Sequence, residues 1–106
     1  MNNGLGFKYY DFIRLCYGIS LSVGDEVKMI DAKITETRYY DQHGNKKVAL
    51  LEKGQGLRID SLYRFDEYHF ENVYLCKVIN PSDQSKDYGV RDGMIVEVYS
   101  EYLEVA

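Results

Sequence analysis

Tryptophan is absent from this chain of 106 residues, proline occurs once, and cysteine and histidine occur twice each. Two cysteines are too few to staple a small secreted scaffold, so Cys16 and Cys76 are expected to be buried apolar residues in a reducing, cytoplasmic setting. Long apolar runs are missing as well: Val48 to Leu51 and Val73 to Cys76 span only four residues each. A membrane helix needs about 20. The stretch from Phe12 to Val23 does not read as a secretory leader, because Arg14 interrupts it and no basic region leads into it. Positive charge is in deficit too, with 13 basic against 17 acidic side chains and a net charge of -4. At an isoelectric point near 5.1, long-range attraction to nucleic acid or to an anionic membrane is disfavoured.

What is present fits one globular domain, residues 1–106: the apolar share is 45% and the charged share 28%. Tyr9, Phe12, Ile13, Cys16 and Tyr17 fall at helical spacing, while Lys8, Asp11 and Arg14 lie off that stripe. This pattern predicts an amphipathic N-terminal helix over residues 5–18, closed by Gly18. Its apolar stripe is expected to pack on the rest of the domain.

From Val23 the period changes to two, which predicts a β-barrel over residues 23–106. Val27 and Met29 alternate with Glu26 and Lys28. After a phase slip at Ile30 and Asp31, read as a bulge or bend in one strand, Ala32 and Ile34 alternate with Lys33 and Thr35. Asp41-Gln42-His43-Gly44-Asn45 is turn chemistry between extended segments and predicts a β-hairpin. Further strands are expected from Leu57, over Phe70 to Ile79, and over Met94 to Tyr99. Val27, Ile34, Leu50, Ile59, Leu75, Val78, Val96 and Val98 are the expected core. Asn80 to Gly89, which contains the single proline, reads as a long loop, and loops of that length are functional more often than average.

Val23-Gly24-Asp25-Glu26-Val27 and the closing segment Gly93 to Val105 resemble the opening and closing signatures of small SH3-like barrels. Such barrels begin with a glycine-acid turn into a strand and close through a short helical turn before a terminal strand. The resemblance implies a mainly β, SH3-like antiparallel barrel of five or six strands carrying one N-terminal helix. The basic strand edge of the nucleic-acid-binding members is lacking.

Catalytic signals are sparse. A cysteine nucleophile needs a base within hydrogen-bond reach, and the only histidines are His43 and His69, each near a predicted turn. Gly54-Gln55-Gly56 lacks the third glycine and the lysine of a phosphate cradle. Strand alternation through residues 66–71 would place Glu67, His69 and Glu71 on one face, three donors suited to a divalent ion; the same pattern is also an ordinary solvated face. No catalytic residue, metal or other cofactor is expected.

Tyrosine is the abundant residue, with 11 against nine leucines. A domain of this size cannot easily bury so many phenols with satisfied hydroxyls, so some should be exposed, as in protein interfaces. Tyrosine also suits the interior of a sheet, which is the competing explanation. Tyr39 and Tyr40, at the hairpin, and Tyr88, in the long loop, are the expected protein-binding residues. The expected function is a non-enzymatic protein-binding module. A small, acidic, tyrosine-rich domain of this kind also resembles accessory proteins of phages and other mobile elements, including anti-CRISPR inhibitors of host defence nucleases. The alternative is a small barrel that binds single-stranded nucleic acid, for which Lys46, Lys47, Lys53, Arg58 and Arg64 would form a basic strip.

Overall fold

The computed structural model describes residues 21–106. The N-terminal helix expected over residues 5–18, with Tyr9, Phe12, Ile13 and Cys16, lies outside the described residues. Seven strands form one antiparallel sheet: β1 (Glu26–Met29), β2 (Lys33–Tyr40), β3 (Lys46–Leu51), β4 (Gly56–Asp66), β5 (Glu71–Ile79), β6 (Ile95–Tyr99) and β7 (Leu103–Val105). Their spatial order is β3-β2-β6-β5-β4-β1-β7, so the described sheet is open, with β3 and β7 at its edges.

The mainly β expectation holds, whereas the count of five or six strands does not. The slip at Ile30 and Asp31 is a break between two strands with different neighbours: β1 pairs with β4 and β7, and β2 pairs with β3 and β6. The terminal strand β7 follows a 3-10 helix over Ser100–Tyr102. Two hairpins dominate the sheet. β2–β3 turns through Asp41 and Gly44, whose φ of 81° suits glycine. β4–β5 is the longest ladder, with register shifts between Ile59 and Ser61 and between Leu62 and Arg64.

The core lies against one face of the curled sheet. Val27 and Met29 of β1, Leu57 and Ile59 of β4, Tyr74, Cys76 and Val78 of β5, and Val96 and Val98 of β6 bury their side chains there. Ala49 and Leu51 of β3, Leu103 of β7 and Val90 complete it. Each large aliphatic residue contributes about 1.5 to 3 kcal/mol when fully buried.

Three residues expected in this core are not buried there. Ile34 is 71% exposed, Leu50 is 42% exposed, and Leu75 is half-buried. In β2 the inward positions belong to Thr35 and Thr37, which shifts the phase by one residue. Their hydroxyls donate to the carbonyls of Ala49 (3.1 Å) and Lys47 (2.9 Å), so neither is buried without a partner. Ile34 and its cross-strand partner Leu50 therefore face outward. The segment expected to be loop from Asn80 to Gly89 contains a five-residue helix, α1 (Asp83–Asp87). Among the described residues no helix is long and apolar enough to cross a membrane.

Candidate functional site

A groove of about 880 Å³ lies between the tip of the β2–β3 hairpin and residues 88–94. Tyr39, Thr37, Lys47 and Val48 line one wall, and Tyr88, Arg91 and Met94 the other. The sheet order creates it. β2 and β6 are paired only at Glu36–Glu97 and Thr37–Val96, after which the hairpin tip runs past the start of β6.

On the hairpin side, Thr37 Oγ1 accepts the Tyr39 amide at 3.1 Å and fixes the strand end. Asp41 then closes the turn, its Oδ1 accepting the amides of His43 (2.8 Å) and Asn45 (3.0 Å). These bonds present Tyr39 at a fixed place with its ring 46% exposed. Tyr40, 61% exposed, sits opposite Lys46 and does not line the groove.

On the other side α1 is anchored at its start. Ser82 caps it by accepting the Ser85 amide at 3.1 Å. The Ser82 and Ser85 hydroxyls donate to Glu52 at 2.7 and 2.9 Å, tying α1 to the end of β3. Those two bonds also hold the Glu52 carboxyl below its ordinary value. Val90 is buried in the core, Arg91 Nη1 donates to the carbonyls of Lys86 (3.0 Å) and Val90 (3.2 Å), and Asp92 accepts the Asn80 amide at 2.9 Å. The tract is thus an ordered platform. It holds Tyr88 with 66% of its surface exposed.

Two phenol rings, a thioether and the stems of Lys47 and Arg91 make this surface amphipathic, with polar tips around apolar faces. The carboxylates of Asp41 and Asp92 are bonded to backbone amides. The arrangement suits contact with an extended segment of another chain; it holds no nucleophile paired with a base.

The other candidate groups are placed differently from the expectation. Residues 67–70 form the β4–β5 turn, with Phe70 at φ 60°, so Glu67, His69 and Glu71 do not share a strand face. Glu71 is buried, accepting the Glu101 amide at 3.0 Å and the Ser100 hydroxyl at 3.3 Å, and burial pushes its carboxyl up to about 7. His69 Nδ1 lies 2.9 Å from Asp66. No cluster of three potential metal ligands occurs among the described residues.

Asp66 also accepts the Tyr99 hydroxyl at 2.5 Å and the amides of Tyr68 (2.9 Å) and His69 (3.0 Å). The Tyr99 hydroxyl and then His69 hold its carboxyl well below the carboxylate range. An aspartate-oriented histidine is half of a catalytic pair, but among the described residues no hydroxyl or thiol is bonded to the other ring nitrogen. Cys76 is buried, and burial pushes its thiol up to about 12, which opposes nucleophilic use. The basic strip is dispersed: β2, β6 and β5 separate Lys46 and Lys47 from Arg58 and Arg64. Lys46 pairs with Glu97 at 2.6 Å and Arg58 with Glu26 at 3.0 Å.

The sequence reading missed Thr37, Lys47, Arg91 and Met94 as groove residues. No local signal marks them, because they meet only through the sheet order. A signal for α1 did exist in Ser82-Asp83, an N-cap followed by an acid. No protein-family model, curated protein or solved structure matches the chain.

Proposed function

We propose that the chain is a protein-binding module that grips its partner in the groove between Tyr39 and Tyr88. The observation that carries this reading is the convergence of two exposed tyrosines, from a hairpin tip and a helix-anchored tract, on one concave surface of about 880 Å³. Tyrosine supplies large, stiff contact area at little entropic cost. Tyr40, exposed beside the groove, belongs to its rim. An SH3-like layout is part of the same reading, supported by the glycine-acid turn at Gly24-Asp25 and the 3-10 helix before β7. A binder of this class also suits inhibition of a host defence protein by a mobile element.

The test is affinity capture from host lysate with the wild type, followed by titration calorimetry of the captured partner against variants. Tyr39→Ala and Tyr88→Ala should each weaken binding by about 2 kcal/mol. Tyr68→Ala, at a turn outside the groove, should not. A partner bound equally by all three variants rejects the groove. An affinity that falls about a thousandfold between about 50 and 200 mM salt points instead to nucleic acid.

A further inference from the structure

We propose that β3 is the seam of a two-fold homodimer, pairing antiparallel with β3 of a second copy to continue the sheet across the interface. The strand sits at the sheet edge, and among the described residues it pairs with β2 alone. The Thr35 and Thr37 hydroxyls reach the carbonyls of Ala49 and Lys47, which marks those carbonyls as turned toward β2. By the alternation of an antiparallel ladder, the amides and carbonyls of Val48 and Leu50 then point away from the sheet. An edge of this kind is a template for another strand unless proline, a bulge or charged side chains, lysine above all, blunt it; in β3 the lysines are confined to its first two positions, Lys46 and Lys47. Residues 48–51, Val-Ala-Leu-Leu, contain no proline and no charge. The opposite edge, β7, is only three residues long against six for β3.

The occupant is a second copy because the strand is complementary to itself. In an antiparallel pair centred on Ala49, Val48 lies opposite Leu50 of the second copy and Ala49 opposite Ala49. That register brings the outward amides and carbonyls of Val48 and Leu50 into hydrogen-bonded pairs. It also joins the outward aliphatic groups of Ile34, Val48 and Leu50, all exposed in one chain, to the same three from the other. An isologous contact of this kind closes after two subunits.

Sedimentation equilibrium of the full chain over a wide concentration range, with amide exchange followed by NMR, tests the seam. Wild type should dimerise, and the Val48 and Leu50 amides should become protected as the dimer fills. Leu50→Lys should weaken association at least about tenfold while leaving the thermal midpoint close to wild type, since Leu50 packs outside the core. Leu50→Val should retain the dimer. A monomer at every concentration overturns the proposal. So does a dimer indifferent to Leu50→Lys, or one whose Val48 and Leu50 amides exchange as fast as in the monomer. A strand from a different protein protecting those amides, with this chain monomeric, overturns it as well.

Discussion

The two hairpins are made of similar residues and use them in opposite ways. At the end of β4–β5, Asp66 gathers the Tyr99 hydroxyl, the His69 ring and two turn amides, and Glu71 turns inward to Ser100 and the Glu101 amide. At β2–β3 the polar groups that are satisfied belong to the backbone and to Thr35, Thr37, Asp41 and Lys46. Tyr39, Tyr40, Ile34, Val48 and Leu50 are left toward solvent. The β4–β5 turn ties its polar groups inward, although Leu62, Tyr63 and Tyr68 of that hairpin are also exposed, and the β2–β3 hairpin presents its apolar groups beside the groove. Unpartnered aromatic and aliphatic groups contribute little to folding, and the proposed binding groove draws on those of the β2–β3 end.

The largest expected effect tests whether the hairpins fold as one unit. Val96 on β6 stands between them, opposite Thr37 on one side and Cys76 on the other, and is fully buried. Val96→Asp would bury an unpaired carboxylate and should cost more than about 4 kcal/mol. Denaturant unfolding followed at probes in each hairpin should show both lost together. A β4–β5 ladder that survives in this variant would divide the sheet into two separate units.

Next in size is the carboxylate that ties the β4–β5 turn. Asp66→Ala leaves the Tyr99 hydroxyl, the His69 ring and two amides without their acceptor, and should clearly lower the denaturant midpoint. The carboxyl is depressed in the folded state, so its contribution is present above about pH 4 and lost as pH falls through the folded value. Asp66→Asn should flatten that acid limb of the stability curve. An unchanged acid limb would mean that the Tyr99 and His69 bonds are not what hold the turn.

Much of this division was legible in the residues, and its failures have a common physical cause. Val96 and Val98, and Ile59 and Val78, are apolar positions in alternating segments, and they are buried. Ile34 and Leu50 differ from expectation because apolarity alone does not mark the inner face: Thr35 and Thr37 stand inside when each hydroxyl finds a carbonyl on β3. The extra strand failed because a break at Ile30 and Asp31 and a bulge within one strand give the same phase slip. Glu67, His69 and Glu71 were placed together by alternation, which a turn at Phe70 abolishes. For the candidate site, turn chemistry marked the neighbourhoods of Tyr39 and Tyr88 as exposed. Their meeting across the groove depends on β2 lying beside β6, a long-range pairing that no local pattern encodes.

Glu71 should give a smaller effect of opposite sign to Asp66. Burial raises its carboxyl from the ordinary 4.5 to about 7. The stabilising protonated state is therefore fully present below about pH 4.5 and is lost as pH rises through about 7. Glu71→Gln keeps an oxygen for the Glu101 amide and the Ser100 hydroxyl and removes the buried charge. It should be more stable than wild type by about 1 to 2 kcal/mol near pH 8 and equal to it near pH 4. Urea midpoints at the two pH values measure this, and a variant less stable at both would show that the ionised carboxylate is favourably held.

The last comparison deletes one hydroxyl from the same residue type in the two hairpin regions, and the smallest effects of all are expected at the exposed rings. Tyr99→Phe removes the 2.5 Å bond to Asp66, a hydrogen bond to a charged acceptor, and should cost about 1.5 to 3 kcal/mol. Tyr39→Phe and Tyr88→Phe remove hydroxyls from exposed rings and should change stability by no more than about 0.5 kcal/mol. Chemical denaturation of the three variants under one buffer makes the comparison direct. Equal losses at Tyr88 and Tyr99 would mean that Tyr88 is part of the fold's own hydrogen bonding, and the groove would lose one of the two rings on which its binding role rests. A near-zero cost at both Tyr39 and Tyr88 leaves their hydroxyls with no role in holding the chain together. That outcome is what the proposed contact of Tyr39 and Tyr88 with a second molecule requires.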